Sequence, residues 1–246
     1  MTTRVSVTFV GSGDAFGSGG RLQACILVDD GEERLLLDCG ATSLSGMKRV
    51  GIEPNSIDAV VLSHLHGDHF AGLPFLILDG QFSRRETALQ IAGPPGTADR
   101  LHAAMEVLFP GSSAVQRRFD VDITEVVPGE TATAGRWTVR AFAADHASGA
   151  PSLVLRLESP RAVLAYSGDT AWTPALIEAS HGADLFVCEA YFRDRHVPYH
   201  LSYDELLTHL PDLRAGRLVL THMTSEVIAA DDIALERAHD GLTLSI

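Results

Sequence analysis

One stretch of the chain fixes where its chemistry must lie: Ser63-His64-Leu65-His66-Gly67-Asp68-His69, in which four metal-ligating side chains fall within six residues. Ahead of it, Ala59-Val60-Val61-Leu62 is a short apolar, β-branched run that reads as a buried strand; behind it, Phe70 to Leu78 reads as an apolar helix. The motif is thus placed on a strand-to-helix loop. A loop between rigid elements can aim several side chains at one point, whereas a straight strand sends neighbours to opposite faces. His64 and His66, two apart, share one side, and the turn permitted by Gly67 can direct Asp68 and His69 to a second position nearby. Imidazole with carboxylate suits zinc, and also nickel, iron or manganese. A lone histidine is usually solvated or hydrogen-bonded, but three with an aspartate at this spacing point to ligation.

The 246 residues, 46% of them hydrophobic, can bury a sizeable core and fall within the range of one large domain, so a single domain over residues 1–246 is expected. A formal net charge of -13 argues against a broad electrostatic grip on nucleic acid, because phosphate backbones need clustered Lys and Arg. A pair of divalent ions would add about four positive charges that this count does not include. Cys25, Cys39 and Cys188 are odd in number and widely spaced with no C-x-x-C, which suggests neither a disulfide framework nor a thiolate zinc site. Reduced thiols, a Met1-Thr2-Thr3-Arg4 start that runs straight into a strand, and the lack of a spanning apolar run give a cytoplasmic, soluble expectation. The expected partner is a small-molecule substrate, with no membrane and no extended nucleic acid; a homodimer is left open.

Taken in order, Val5, Val7 and Phe9 alternate with Ser6 and Thr8 as in a half-buried strand, and Gly11-Ser12-Gly13-Asp14-Ala15-Phe16-Gly17 turns the chain. A nucleotide-binding reading of this glycine-rich turn fails on Phe16, which stands where G-x-G-x-x-G needs its third glycine, and on the lack of a following helical pattern. Strands are predicted at Ala24 to Val28, Arg34 to Leu37, Leu89 to Ala92, Ile123 to Val127, Trp137 to Ala143, Ser152 to Leu157, Ala162 to Tyr166, Leu185 to Cys188 and Arg217 to Leu220. Helices are predicted over Thr42 to Val50, from the Thr97 cap to about Leu108, from Thr173-Pro174 to Ser180, and after the capping-box spacing of Ser202-Tyr203-Asp204-Glu205. The tail reads as a short helix from Asp231 and a last strand near Leu242. Arg84 and Arg85 could face an anionic substrate or form a solvated surface pair.

The pattern H-x-H-x-D-H resembles the signature of the metallo-β-lactamase superfamily of hydrolases. That family completes its site with a histidine, an aspartate in a Gly-Asp loop and a late histidine, each at a strand end, and this chain has His146, Asp169 and His222 in that order. The resemblance covers Val5 to Met223 and implies an α/β fold, specifically a four-layer αββα sandwich. It implies that His64, His66 and His146 hold one divalent ion, that Asp68, His69 and His222 hold another, and that Asp169 bridges the two. Zinc is the expected metal, with Mn, Fe or Ni as alternatives. Asp38 matches an early aspartate that supports the metal loop without binding metal, and the glycine-rich turn matches one beside the active site.

Within the superfamily the chain is similar to the ribonuclease Z-like branch and its small phosphodiesterase relatives. Gly72-Leu73-Pro74 follows the metal loop, Cys188-Glu189-Ala190 resembles the branch's His-Glu-Ala-Thr segment, and His200 lies 22 residues before His222, where the branch carries a catalytic histidine. Cys188 replaces a histidine, and Thr224-Ser225-Glu226 stands where ribonuclease Z has Ser-x-Arg-Tyr. The implied mechanism uses a bridging hydroxide oriented by Asp68, with His200, positioned by Glu189, protonating the leaving oxygen. Bacterial ribonuclease Z inserts an RNA-gripping arm between the third-motif histidine and the bridging aspartate. Here His146 and Asp169 are 23 residues apart, a span filled by two strands and a turn, so small phosphodiesters are expected as substrates in place of precursor transfer RNA. The alternatives are an esterase, lactonase, β-lactamase or sulfatase on the same fold, and a non-catalytic metal-binding scaffold. A flavodiiron-like redox role is disfavoured because that group typically has glutamate where His66 stands.

Overall fold

Continuous apolar runs such as Ile26-Leu27-Val28 and Leu35-Leu36-Leu37 require cover on both faces of a strand, and two stacked sheets flanked by helices provide it. The computed structural model describes residues 4–246; Met1, Thr2 and Thr3, expected to lead into the first strand, lie outside the described residues. The first half contributes β1 (Ser6–Gly11), β2 (Cys25–Asp29), β3 (Arg34–Leu37), α1 (Ser43–Arg49), β4 (Ala59–Val61), α2 (Gly67–Phe70), α3 (Leu73–Phe82), β5 (Leu89–Gly93), α4 (Thr97–Leu108) and β6 (Val121–Glu125). The second contributes β7 (Thr131–Ala134), β8 (Trp137–Ala143), β9 (Leu153–Glu158), β10 (Val163–Tyr166), α5 (Ala175–Ser180), β11 (Leu185–Glu189), α6 (Tyr203–His209), β12 (Leu218–Thr221), α7 (Ser225–Ala229) and β13 (Glu236–Arg237). β14 (Thr243–Ser245) then returns to the first sheet. The strand orders are β14-β1-β2-β3-β4-β5-β6 and β13-β12-β11-β10-β9-β8-β7. In each sheet an antiparallel portion passes into parallel strands, at β3–β4 and at β10–β11.

The period of two sorts each strand between layers. Ile26, Val28, Leu35, Leu37, Ala59 and Val61 face the second sheet and pack with Trp137, Val139, Leu155, Leu157 and Val187. Cys25, Leu27, Leu36 and Val60 face outward to α1, α3 and α4, while Phe186, Cys188 and Leu220 face α5, α6 and α7. The result is the expected αββα sandwich, in which each fully buried aliphatic side chain contributes about 1.5–3 kcal/mol. No helix among the described residues is long and apolar enough to cross a membrane.

The structure departs from the sequence reading at several points. The helix expected from Phe70 to Leu78 is broken into α2 and α3 at Gly72, whose N–H leaves the helical ladder to donate to the Cys39 carbonyl at 2.8 Å, an approach so close that a Cβ there would sit 2.2 Å from the Gly40 carbonyl oxygen. Pro74 then starts the second helix. The strand expected at Ile123 to Val127 begins two residues earlier, at Val121. β7, a Thr-Ala-Thr-Ala run, carried no apolar signal. No helix starts at Asp231. The helix lies upstream at Ser225–Ala229, and the Ala238 N–H bonds to the Leu220 carbonyl at 2.8 Å, drawing β13 onto β12 as extended chain. Arg85 is buried, and its guanidinium donates to the carbonyls of Ile57, Thr87 and Ala88, so it secures loops and faces no substrate. Thr97 is the first helical residue rather than the cap, a place taken by Gly96.

All three cysteines are buried and free. Burial pushes the Cys25 thiol up from its ordinary value to about 12. An unfolded chain therefore loses this proton first, so its contribution to stability is intact below the ordinary thiol range and declines as pH rises through that range toward 12. Denaturant titrations from neutral to strongly alkaline pH should show a shallower decline for Cys25→Ala than for the parent protein. Parallel curves for the two proteins would refute this linkage.

Candidate metal centre

Every motif residue sits past the C-terminal end of a strand, so the two sheets deliver their loops to one edge of the sandwich. β4 leads into His64 and His66, α2 carries Asp68 and His69, β8 leads to His146, β10 to Asp169, β11 ends at Glu189, and β12 leads to His222. The geometry requires unusual backbone. Asp38 and His222 adopt positive φ values of 58° and 53°, a region costly for residues with a Cβ. Gly168 has φ 55° and approaches Ser63 so closely that a Cβ would lie 2.7 Å from the Ser63 Cβ, which explains why glycine precedes Asp169.

The side chains form two adjoining groups. His64, His66 and His146 bring one ligand atom each within 4.8 Å of one another, and so do Asp68, His69, Asp169 and His222. His146 Nε2 lies 3.0 Å from His66 Nδ1. His69 Nε2 lies 3.3 Å from Asp68 Oδ2 and 3.3 Å from Asp169 Oδ1, and His222 Nε2 lies 3.2 Å from Asp68 Oδ2 and 3.4 Å from Asp169 Oδ2. Asp169 Oδ2 also stands 3.9 Å from His64 Nε2, so this carboxylate touches both groups. His64 Nε2, His69 Nε2 and Asp169 Oδ1 are buried without a hydrogen-bond partner among the described residues. An unsatisfied buried polar atom costs about 1–3 kcal/mol, and several converging on one spot are what a divalent cation would satisfy. The residues present fit a metal centre.

A surrounding shell of hydrogen bonds fixes these side chains. Asp38 accepts from the Ser63 N–H at 2.7 Å, the Ser63 hydroxyl at 2.8 Å and the Tyr166 hydroxyl at 2.8 Å, and lies 2.7 Å from His69 Nδ1. This is the supporting role expected of Asp38. Glu189, fully buried, accepts from the Thr170 N–H and lies 3.0 Å from His200 Nδ1. The glycine-rich turn stands beside the site, its Ser12 carbonyl accepting from the His222 N–H at 3.2 Å. Tyr166, Tyr191 and Tyr199 were not singled out from sequence. The Tyr191 ring packs on His200 at 4.5 Å between centroids, and the Tyr199 carbonyl lies 2.9 Å from His146 Nδ1. Tyr166 had a detectable signal, a polar-tipped residue at the end of an apolar strand just before Ser167-Gly168-Asp169.

The field divides the site. Burial, then the neighbouring His69 ring, holds His64 well below the usual histidine range, and burial also lowers His66 and His146, leaving three neutral lone-pair donors. In the other group burial opposes charge most strongly, but the surrounding carboxylates together exceed it: Asp169, Asp38 and Asp68 raise His69 well above its usual range, and Asp169, Asp68 and Glu189 raise His222 to about 9. Asp169 in turn is held well below its usual range: burial opposes ionisation, and His222 and His69 overcome it. Burial raises Glu189; at His200 burial opposes charge, but the hydrogen bond to Glu189, its charge and that of Asp169 together raise the ring.

A fold of two sheets whose loops meet at a His/Asp centre defines the metallo-β-lactamase class, and a Beta-lactamase superfamily domain matches residues 33–223. The chain belongs to the beta-lactamase superfamily and is a hydrolase of that superfamily. Among curated proteins it is 32% identical to the ribonuclease Z of a Mycobacterium species (strain KMS), with 89% of this chain and 84% of that protein covered. Among solved structures, the short form of human tRNase Z superposes with a TM-score of 0.81 at 24% identity, covering 98% of this chain and 99% of that one. A diphosphatase from the PhnP family superposes with a TM-score of 0.78 at 22% identity, covering 99% of this chain and 98% of that one.

Proposed function

We propose that the chain is a dinuclear metal-dependent phosphodiesterase acting on small phosphodiesters. The observation that carries this reading is Asp169, whose two oxygens reach His64 in one ligand group and His69 and His222 in the other. His64, His66 and His146 would hold one ion, and Asp68, His69 and His222 the second, with Asp169 shared. A pair of divalent ions supplies a low-pKa water and neutralises charge on attacking and leaving oxygens. Asp68 accepts a hydrogen bond from the attacking water and turns its lone pair toward phosphorus. The Glu189 carboxylate holds Nδ1 of His200, so that the imidazolium donates its other proton to the departing alkoxide.

The name of the curated relatives, ribonuclease Z, makes RNA the second reading. Against it, the chain between His146 and Asp169 is taken up by the β9–β10 hairpin, paired from Val163↔Glu158 to Tyr166↔Leu155, with no room for an arm. The 32 acidic residues against 19 basic ones also leave few cations to neutralise a phosphate backbone. Two measurements test the proposal. Elemental analysis of protein purified without chelator should return two transition-metal ions per chain, and at most one ion after zinc or manganese supplementation would count against the dinuclear centre. The loaded protein should hydrolyse small chromogenic phosphodiesters in preference to ester, lactone and sulfate analogues. Efficient 3′ cleavage of a precursor transfer RNA, abolished in His66→Ala, would overturn the substrate assignment.

A further inference from the structure

Three of the candidate ligands have their outer ring nitrogen faced by a side chain: Ser63 Oγ is 3.0 Å from His64 Nδ1, Asp38 Oδ2 is 2.7 Å from His69 Nδ1, and Glu189 Oε2 is 3.8 Å from His222 Nδ1. His146 differs. Its Nδ1 lies 2.9 Å from a main-chain oxygen, the carbonyl of Tyr199. That carbonyl belongs to a tight turn, Val197-Pro198-Tyr199-His200, closed by the His200 N–H donating to the Val197 carbonyl at 3.3 Å. Proline at the second position and a residue of φ 70° at the third are the marks of a type II turn, whose third position favours glycine or asparagine. A tyrosine at that position carries steric strain, and it is 46% exposed.

The peptide unit joining Tyr199 to His200 therefore has two roles at once. Its N–H closes the turn that presents the His200 imidazole to Glu189, and its C=O accepts from His146. We infer that this one peptide plane is a positioning element coupling the first metal ligand group to the proton donor, with the left-handed backbone at Tyr199 as the feature that aims it. By accepting from Nδ1–H it fixes the His146 tautomer that leaves Nε2 bare, on the side where His66 Nδ1 stands 3.0 Å away. The inference rests on the metal-site reading above. It requires a particular backbone conformation at position 199 and no particular side chain.

Variants at position 199 separate these requirements. Tyr199→Gly accepts φ near +70° freely, whereas Tyr199→Pro locks φ near −65° and swings the carbonyl away. Zinc binding is measured by chelator competition, and the His146 ring is followed by ¹⁵N–¹H correlation spectra of the metal-free protein. Tyr199→Pro should weaken one zinc step by about 10–100-fold, leave the other within about twofold, and lose the Nδ1–H signal of His146. Tyr199→Gly should keep the parent affinity for both ions and the Nδ1–H signal. If Tyr199→Pro does not fold, Tyr199→Val, whose branched Cβ opposes positive φ, should weaken the same step by at least about threefold. Parent-like zinc binding in a folded Tyr199→Pro, or in Tyr199→Val, would overturn the inference, as would a loss in Tyr199→Gly equal to that in Tyr199→Pro. His146→Ala separates this failure from that of the underlying reading. Unchanged zinc stoichiometry in His146→Ala removes the metal-site assignment itself, whereas loss of one ion there with none lost in Tyr199→Pro removes the coupling alone.

Discussion

Asp169→Ala is expected to lose metal and turnover together. The carboxylate is 3% exposed and lies within 3.4 Å of both His69 and His222, so its removal leaves Asp68 as the one carboxylate facing both rings from the inner side, with Asp38 and Glu189 behind them. It also removes the oxygen atoms common to the two ligand groups. Turnover should fall by about 10³-fold or more, the scale of forfeiting several kcal/mol of transition-state charge stabilisation. Asp169→Asn, which keeps the shape and removes the charge, should lose metal as well, and thermal unfolding of the metal-free forms checks that the fold persists. An Asp169→Ala protein that retains two ions and full turnover would sink the shared-carboxylate assignment.

His200→Ala should behave differently. The ring stands beside the ligand groups, 19% exposed, with Nδ1 on Glu189 and one face against Tyr191. Both ions and the fold should survive its loss, while turnover on a diester with a poor leaving group falls by about 10²-fold or more. With an activated aryl leaving group the loss should shrink, because a stable departing anion needs no proton. Equal losses on both kinds of substrate would mean that His200 does not transfer a proton in the rate-limiting step. No loss on the poor substrate would leave it a rim residue held by Glu189.

How much of this was legible in the sequence depends on the distance over which each residue acts. The candidate ligands His64, His66, Asp68 and His69 announce themselves because one loop carries them, and the unbroken apolar runs of β2, β3 and β4 announce sheets covered on both faces. His146, Asp169 and His222 are single residues in ordinary turns, and only their order relative to a resembled family raised them above the background. Tyr166 and Tyr199 act across the fold, on Asp38 and His146 respectively, through contacts separated by 128 and 53 residues. Local pattern cannot reveal such pairs. The misplaced tail helix has a similar cause, since Asp231-Asp232 has a cap-like look, yet tertiary bonding to Leu220 and Tyr203 draws the following residues into extended chain.

The return of the last strand to the first has a consequence for biosynthesis. β14 pairs antiparallel with β1, Ser6 opposite Ser245, and just before it Asp240 accepts from the N–H groups of Ser12 and Leu22, fastening the glycine-rich turn whose Ser12 carbonyl supports His222. A ribosome releases these partners more than two hundred residues apart. Until β14 emerges, β1 presents an unpaired edge and the turn beside the centre lacks its anchor, so a nascent chain is exposed to edge-to-edge association. Loss of β14 together with Asp240 should likewise disturb the candidate metal centre, although both lie more than two hundred residues along the chain from Ser12.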